Sequence, residues 1–225
     1  MLHKTQGISL RYLRYKDSAI IAKIFTESFG LQGFVVHGIR SSKSKTSLGL
    51  FQALSLVDLV QYHDEKKELH RLQEIKQANP LQTIPFNPAK TAMALFASEL
   101  ISKVVKDGQP NEALFHLIRN WTLSLDKADQ NFENEHIKLS WQLLSPLGIV
   151  PEHWEELFPS SLRPNDFKIE EVAPLFSSFS NENELVKMPN RLRQYSLDMI
   201  LFYMSQHFEG MGQIQSLDVL RTVFR

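Results

Sequence analysis

From Thr5 to Asn79 the apolar and polar side chains alternate with a period close to two, the spacing that turns one face of a strand inward. Ile8, Leu10 and Tyr12 alternate with Ser9, Arg11 and Leu13. Residues 19–25 form a nearly continuous, isoleucine-rich run, which predicts a strand buried on both faces. The chain turns at Ser28-Phe29-Gly30 and returns over residues 31–38, where Gly33 predicts a bulge or bend. Leu54, Leu56, Val57, Leu59 and Val60 predict a fourth strand. After a charged turn at residues 63–67, Leu69, Arg71, Gln73 and Ile75 alternate with Glu68, His70, Leu72 and Glu74 as a fifth. Five short strands in so little chain predict a small barrel, because closure removes exposed edges.

The period then lengthens. Asn79-Pro80, Pro85 and Asn87-Pro88 mark a linker over residues 80–87, with Asn87 as helix cap and Pro88 at the first helical position. Met93, Phe96, Leu100, Ile101 and Val104 recur at helical spacing until Asp107-Gly108 and Pro110. Leu114, Leu117, Ile118, Trp121 and Leu125 mark a second helix, and residues 132–144 a third, ended by Pro146 and Gly148. Residues 149–189 carry Pro151, Pro159, Pro164, Pro174 and Pro189, with a short helix predicted near 170–176. A strong helix follows over 191–208, and Ser216 is the predicted cap of a last one ending near Phe224. The reading is α+β: a barrel domain over 1–79 and a helical domain over 80–225.

Composition narrows the function. No stretch of eighteen apolar residues exists, so no spanning helix is predicted, and the N-terminus lacks a signal-like apolar run. With no cysteine there are no disulfides, thiol nucleophiles or cysteine zinc sites. The zero net charge conceals an asymmetry: residues 1–50 hold eight cations against Asp17 and Glu27, a net +6, which leaves −6 for the rest. A basic head on a neutral chain points to a polyanion.

The centre of that head is residues 38–47, where Arg40, Lys43 and Lys45 stand among serines with no acid between them. Upstream, Arg11, Arg14, Lys16 and Lys23 interleave with Tyr12, Tyr15, Phe25 and Phe34. Small barrels bind single strands through such cations together with aromatic faces on which bases stack, and Tyr12 and Phe34 are the stacking candidates. Catalytic signatures are missing: no P-loop, no Gly-x-Ser-x-Gly and no His-Glu-x-x-His. Gly210-Met211-Gly212 follows a helix and reads as its stop, and His63, Glu68 and His70 read as a solvated turn. Arg191 and Arg193 flank a face of Tyr195, Met199 and Phe202 that offers a groove for a partner peptide with a free carboxylate.

The order of these parts resembles the bacterial recombination mediator RecO. The resemblance runs through Thr5-Gln6-Gly7-Ile8-Ser9-Leu10-Arg11-Tyr12, Asp17-Ser18-Ala19-Ile20-Ile21, Thr26-Glu27-Ser28-Phe29-Gly30, Gly38-Ile39-Arg40 and Leu50-Phe51-Gln52-Ala53-Leu54. It continues in Ser145-Pro146-Leu147-Gly148-Ile149-Val150-Pro151 and Gln215-Ser216-Leu217-Asp218-Val219-Leu220. It implies an N-terminal OB-fold, a helical C-terminal domain and non-enzymatic work. The implied partners are single- and double-stranded DNA, RecR and the acidic C-terminal tail of single-strand binding protein, with RecA loaded onto coated strands. No cofactor, metal or membrane is implied, and the implied location is the cytoplasm, at the nucleoid. Many members carry a four-cysteine zinc module after the Leu-Gly-x-x-Pro-like stretch; residues 152–179 have no cysteine, so zinc is withdrawn. The rival reading is a barrel that binds only protein, and a nuclease is a remote third.

Overall fold

The computed structural model describes residues 2–15, 17–39, 47–64, 67–159, 172, 176, 179 and 188–224. Five strands, β1 (Leu2–Tyr15), β2 (Ala19–Thr26), β3 (Gly30–Val36), β4 (Leu56–Tyr62) and β5 (Leu69–Asn79), close a barrel in the order β1-β2-β3-β5-β4. Every pairing is antiparallel except β3 with β5, as in an OB-fold. A 3-10 turn over Leu48–Phe51 leads into β4 and places Phe51 inside the barrel. The register shifts lie in β1, between Ser9 and Arg11, and at two points of the β4–β5 pair, not at Gly33 as the sequence suggests. Gly33 stays in register between Lys23 and Leu69, and a Cβ there would stand 2.8 Å from the Leu69 side chain. Its glycine admits β5 at close range instead of bending β3.

Two apolar clusters result. Ile20, Ala22, Ile24, Phe34, Val36, Val57 and Leu59 fill the barrel. On the outside, Leu56, Ile8, Phe25 and Leu31 stand opposite one another across β4, β1, β2 and β3. All four are buried, because helices cover them.

Those helices are α1 (Pro88–Val104), α2 (Glu112–Lys127), α3 (Glu135–Gln142), α4 (Trp154–Leu157), α5 (Asn190–His207) and α6 (Ser216–Val223). Asn87 caps α1 as its sequence predicts, accepting from the amides of Ala89 and Lys90. Ser98 of α1 donates to the Leu10 carbonyl, and Phe115 of α2 packs on Phe25 with ring centroids 5.9 Å apart. Gly108 donates to Leu31, and Gly30, at φ +66°, lets the backbone of Gln109 approach where a Cβ would collide. The outer face of the barrel and the helices therefore share one of the two clusters, while the barrel interior forms the other.

The predicted linker is fastened down. Asp126, at the end of α2, accepts hydrogen bonds from the backbone amides of Gln82, Thr83 and Ile84 at 2.8, 2.8 and 2.9 Å. Burial alone would raise its pKa, but the three amides outweigh that and hold the carboxyl below its usual range. Beside it, buried Lys90 donates to the Thr83 hydroxyl at 2.6 Å and the Asp126 carbonyl at 3.1 Å.

Three further expectations change. Ser216 is the first residue of α6 and not its cap; Glu99 of α1 caps the helix from outside, accepting from the amides of Gln215 and Ser216 at 2.9 Å each. His63 and His70 do not form a solvated turn. His70 is buried, its ring stacks on His63 at 5.2 Å, and the Gln32 amide lies 3.1 Å and 3.2 Å from the two imidazoles. The third helix is shorter than predicted, and the helix expected near 170–176 falls mainly outside the described residues.

Two outcomes follow for stability. Asp126→Ala leaves three amides without their acceptor and should cost about 2–5 kcal/mol in chemical denaturation. Acid should also destabilise the protein through its buried imidazoles. Burial, then neighbouring Arg193, pushes His136 down to about 3, and burial, then His63, lowers His70. The unfolded chain takes up both protons below about pH 6.5, where the folded His136 stays neutral down to about 3, so stability is full above about 6.5 and falls as pH drops, with His70 contributing in the same direction. The slope from His136 should reach up to about 1.4 kcal/mol per pH unit. Urea midpoints at about pH 7 and about pH 5 measure it, and His136→Leu should flatten the dependence.

Candidate nucleic-acid interface

The register across β1, β2, β3 and β5 sorts the predicted residues into faces. One row, Tyr12–Ala22–Phe34–His70, points inward. The rows on either side, Arg11–Lys23–Gly33–Leu69 and Leu13–Ile21–Val35–Arg71, point outward. Strand alternation requires this, since every second residue changes face. The bulge at Leu10 also has a consequence: it keeps Arg11 on the same outer side as Ile8, three residues earlier.

One outer sheet face thus has two halves. The half holding Ile8, Phe25 and Leu31 lies under the helices, and among the described residues the half holding the two outward rows is bare. Arg11 and Arg71 are exposed, as are Leu13 (61%) and Leu69 (42%), while Tyr15 at the end of β1 is partly so. Neither row contains an acidic side chain. Cations spaced among exposed apolar surface can hold phosphates while flat side chains receive bases. The β2–β3 face is also where OB-folds bind oligonucleotides.

The predicted residues separate accordingly. Arg11 lies on the bare face, and Arg14 is exposed near the same end of β1. Lys23 lies at the border, where Asp107 binds it at 2.8 Å. Asp107 is largely solvated and Lys23 half-buried, so the pair is partly screened and Lys23 can exchange it for phosphate. Lys16, Arg40, Lys43 and Lys45 fall outside the described residues. Phe34 is a correction: at 0% exposure it fills the barrel and offers no base a face. Tyr12 shares its inward row and is half-buried against the barrel core. Arg71, Leu13, Ile21, Val35 and Leu69 were missed. The alternation of β5 marks Arg71 as facing away from buried His70, but only the β3–β5 pairing brings it to this face.

The predicted tail groove on α5 does not form as a unit. Met199 is buried in the core, Tyr195 stacks on Phe158 at 6.0 Å, and Arg193 donates to Asn134 at 3.0 Å and to the Met188 carbonyl at 3.2 Å. Arg191 and Phe202 (39%) remain outside. The cause is that α5 packs on both α3 and α4, so its apolar residues are spent on core instead of groove. An open apolar groove of about 490 Å³ does occur between α2 and the end of α3, lined by Leu117, Trp141, Leu144, Pro146 and Val150. Among the described residues after Pro151, the side chains do not fit a zinc ion. The chain has no cysteine, and the place is filled by aromatic rings: Trp141 stacks on Trp154 at 5.7 Å, with Phe158 and Phe176 against them.

Comparison with known proteins agrees with this arrangement over both halves of the chain. Residues 1–81 match the family described as Recombination protein O N terminal, and residues 85–154 match Recombination protein O C terminal. A DNA repair protein RecO of Flavobacterium psychrophilum is 30% identical over 98% of both chains. Proteins of the same name from Phocaeicola vulgatus and Christiangramia forsetii are each 29% identical over the full length of both chains.

The two kinds of row separate experimentally. Phe34→Ala should lower stability by about 3–5 kcal/mol, as for a deleted core aromatic. Arg71→Ala should leave stability within about 0.5 kcal/mol of the parent and weaken oligonucleotide binding. Thermal unfolding and fluorescence anisotropy on the same samples read both.

Proposed function

The chain belongs to the recombination protein O family of DNA repair and recombination proteins, and from that premise we propose that it anneals complementary strands and, with RecR, helps load RecA onto coated single strands. The family is non-enzymatic and binds DNA and RecR. What supports the strand-handling role is the bare outer face of the barrel, where Arg11, Lys23 and Arg71 surround Leu13, Ile21, Val35 and Leu69 without an acid in either row.

The mechanism is electrostatic first. Two nucleic-acid strands repel through their phosphates, and cations that hold both lower that repulsion. Arg40, Lys43 and Lys45 add charge from the sequence between β3 and β4, Arg14 from the end of β1, and Lys16 from the residue that follows it. Bases resting on Leu13 and Tyr15 stay exposed along their pairing edges, which leaves them free to meet a complement. Targeting belongs to the helical domain over 80–225. The acidic tail of single-strand binding protein ends in an apolar residue, and the open groove beside Trp141 supplies an apolar wall with Lys138 one helical turn away.

Binding should weaken steeply with salt. Each phosphate contact contributes a log–log slope of roughly −0.7 on single strands or roughly −0.9 on duplex. Replacing Arg40, Lys43 and Lys45 by alanine together should flatten the slope by about 2–3 and weaken binding alike across sequences, with thermal stability unchanged. Annealing of coated complementary oligonucleotides should fall in parallel. A folded parent protein that binds no oligonucleotide at low salt would instead support the protein-only barrel.

A further inference from the structure

The outward row that carries Arg71 does not stop at β5. Arg71 pairs with Tyr62 of β4, and Tyr62 pairs with Leu2 of β1, so the row reads Leu13–Ile21–Val35–Arg71–Tyr62–Leu2. The neighbours on either side confirm its phase, since Gln61 and His70 are buried and Leu72 packs on the barrel core. Barrel strands tilt against the axis, so a row taken square across them runs obliquely along the barrel and not straight around it. Tyr62 therefore prolongs the bare face. At about 4.8 Å per strand, the four steps from Leu13 to Tyr62 cover about 19 Å, room for several nucleotides.

Tyr62 is 43% exposed and Tyr15 37%, and among the described residues these are the barrel's two exposed tyrosine or phenylalanine rings. They stand toward opposite ends of the row, Tyr15 two residues past Leu13 and Tyr62 directly beside Arg71. A guanidinium next to an exposed ring can hold a phosphate while the adjoining base lies on the ring. The row itself contains no acid, and Asp64, two residues past Tyr62, is paired with Lys67 at 3.3 Å. The next row out, Lys4–Val60–Glu74, brings in a carboxylate, which repels phosphate and closes the path beyond Tyr62.

We propose that Tyr62 is a base-stacking subsite, taking one unpaired nucleobase while Arg71 holds the phosphate beside it. This rests on the strand-handling reading above and assigns the face a ligand class, unpaired single strand. A duplex presents phosphates to Arg11, Lys23 and Arg71, but its base faces are stacked on one another and out of reach of the ring.

Fluorescence anisotropy of the full chain at low salt tests this with labelled probes of equal length: a thymine oligonucleotide, a base-free strand with the same backbone, and a mixed-sequence duplex. Tyr62→Thr removes the ring and keeps a strand-favouring residue, while Tyr62→Phe keeps the ring. Thermal unfolding checks that both variants retain the barrel. The parent should bind the thymine strand at least about fivefold more tightly than the base-free one. Tyr62→Thr should weaken the thymine strand by roughly 5- to 150-fold, the range for one base stacked on an aromatic ring. It should leave the base-free strand and the duplex within about twofold of the parent and the salt slope unchanged. Tyr62→Phe should bind all the probes as the parent does. Parent-like binding of the thymine strand by Tyr62→Thr overturns the proposal. So does an equal loss on every probe, or a Tyr62→Phe variant as weak as Tyr62→Thr. A parent that binds none of the probes overturns the strand-handling reading and this inference with it.

Discussion

Four side chains, Leu56, Ile8, Phe25 and Leu31, cross the outside of four adjacent strands and cannot be left in water. Full burial of side chains of this size stabilises by about 1.5–3 kcal/mol each. The barrel alone has no place to bury them, because its interior is already filled by Ile20, Ala22, Phe34 and their neighbours. The helical part is therefore a structural requirement of the barrel. Covering that half of the outer face fixes by subtraction which half stays open.

The position of the cover is held by polar contacts that tolerate little movement. The Asp126 carboxylate gathers three consecutive linker amides, and Lys90 ties the same turn to the end of α2. Glu99 fixes α6 to α1 in the same manner, with a carboxylate serving amides that would otherwise lack acceptors. Each carboxylate is held below its usual pKa range against a burial effect that alone would raise it, Asp126 by its three amides and Glu99 by the Ser216 hydroxyl and then the amides of Ser216 and Gln215. Strands and helices so fastened form a rigid frame, and a rigid frame is what keeps cations on different strands at fixed spacing for a phosphate backbone.

Much of this was legible in the sequence. Period two followed by period 3.6 gave the barrel and the helices, and Asn87-Pro88 marked the start of α1 to the residue. What escaped has a common physical cause: it depends on which strand lies next to which. Parity within β1 groups Tyr12 with Ile8, but the bulge at Leu10 changes its phase, so Tyr12 faces the barrel interior while Ile8 faces the helices. Phe34 was placed at the interface for its chemistry, yet its partner row ends at buried His70. Arg71 came from a strand remote in sequence. The caps at Asp126 and Glu99 are long-range pairs of ordinary residues, and no local pattern announces them. On α5, Met199 and Tyr195 have the composition of a groove, but packing on two sides decides their fate.

The central claim is that nucleic acid lies on the bare half of the outer sheet, and amide hydrogen exchange with and without a short single-stranded oligonucleotide tests it most directly. Slowed exchange should concentrate in the second half of β1, in β2 and β3 around Ile21 to Lys23 and Gly33 to Val35, and at the start of β5 near Arg71. The row under the helices, from Leu56 to Leu31, should be unaffected beyond its existing protection. Protection confined to the other side of the barrel, on β4 and the later part of β5, would contradict the account.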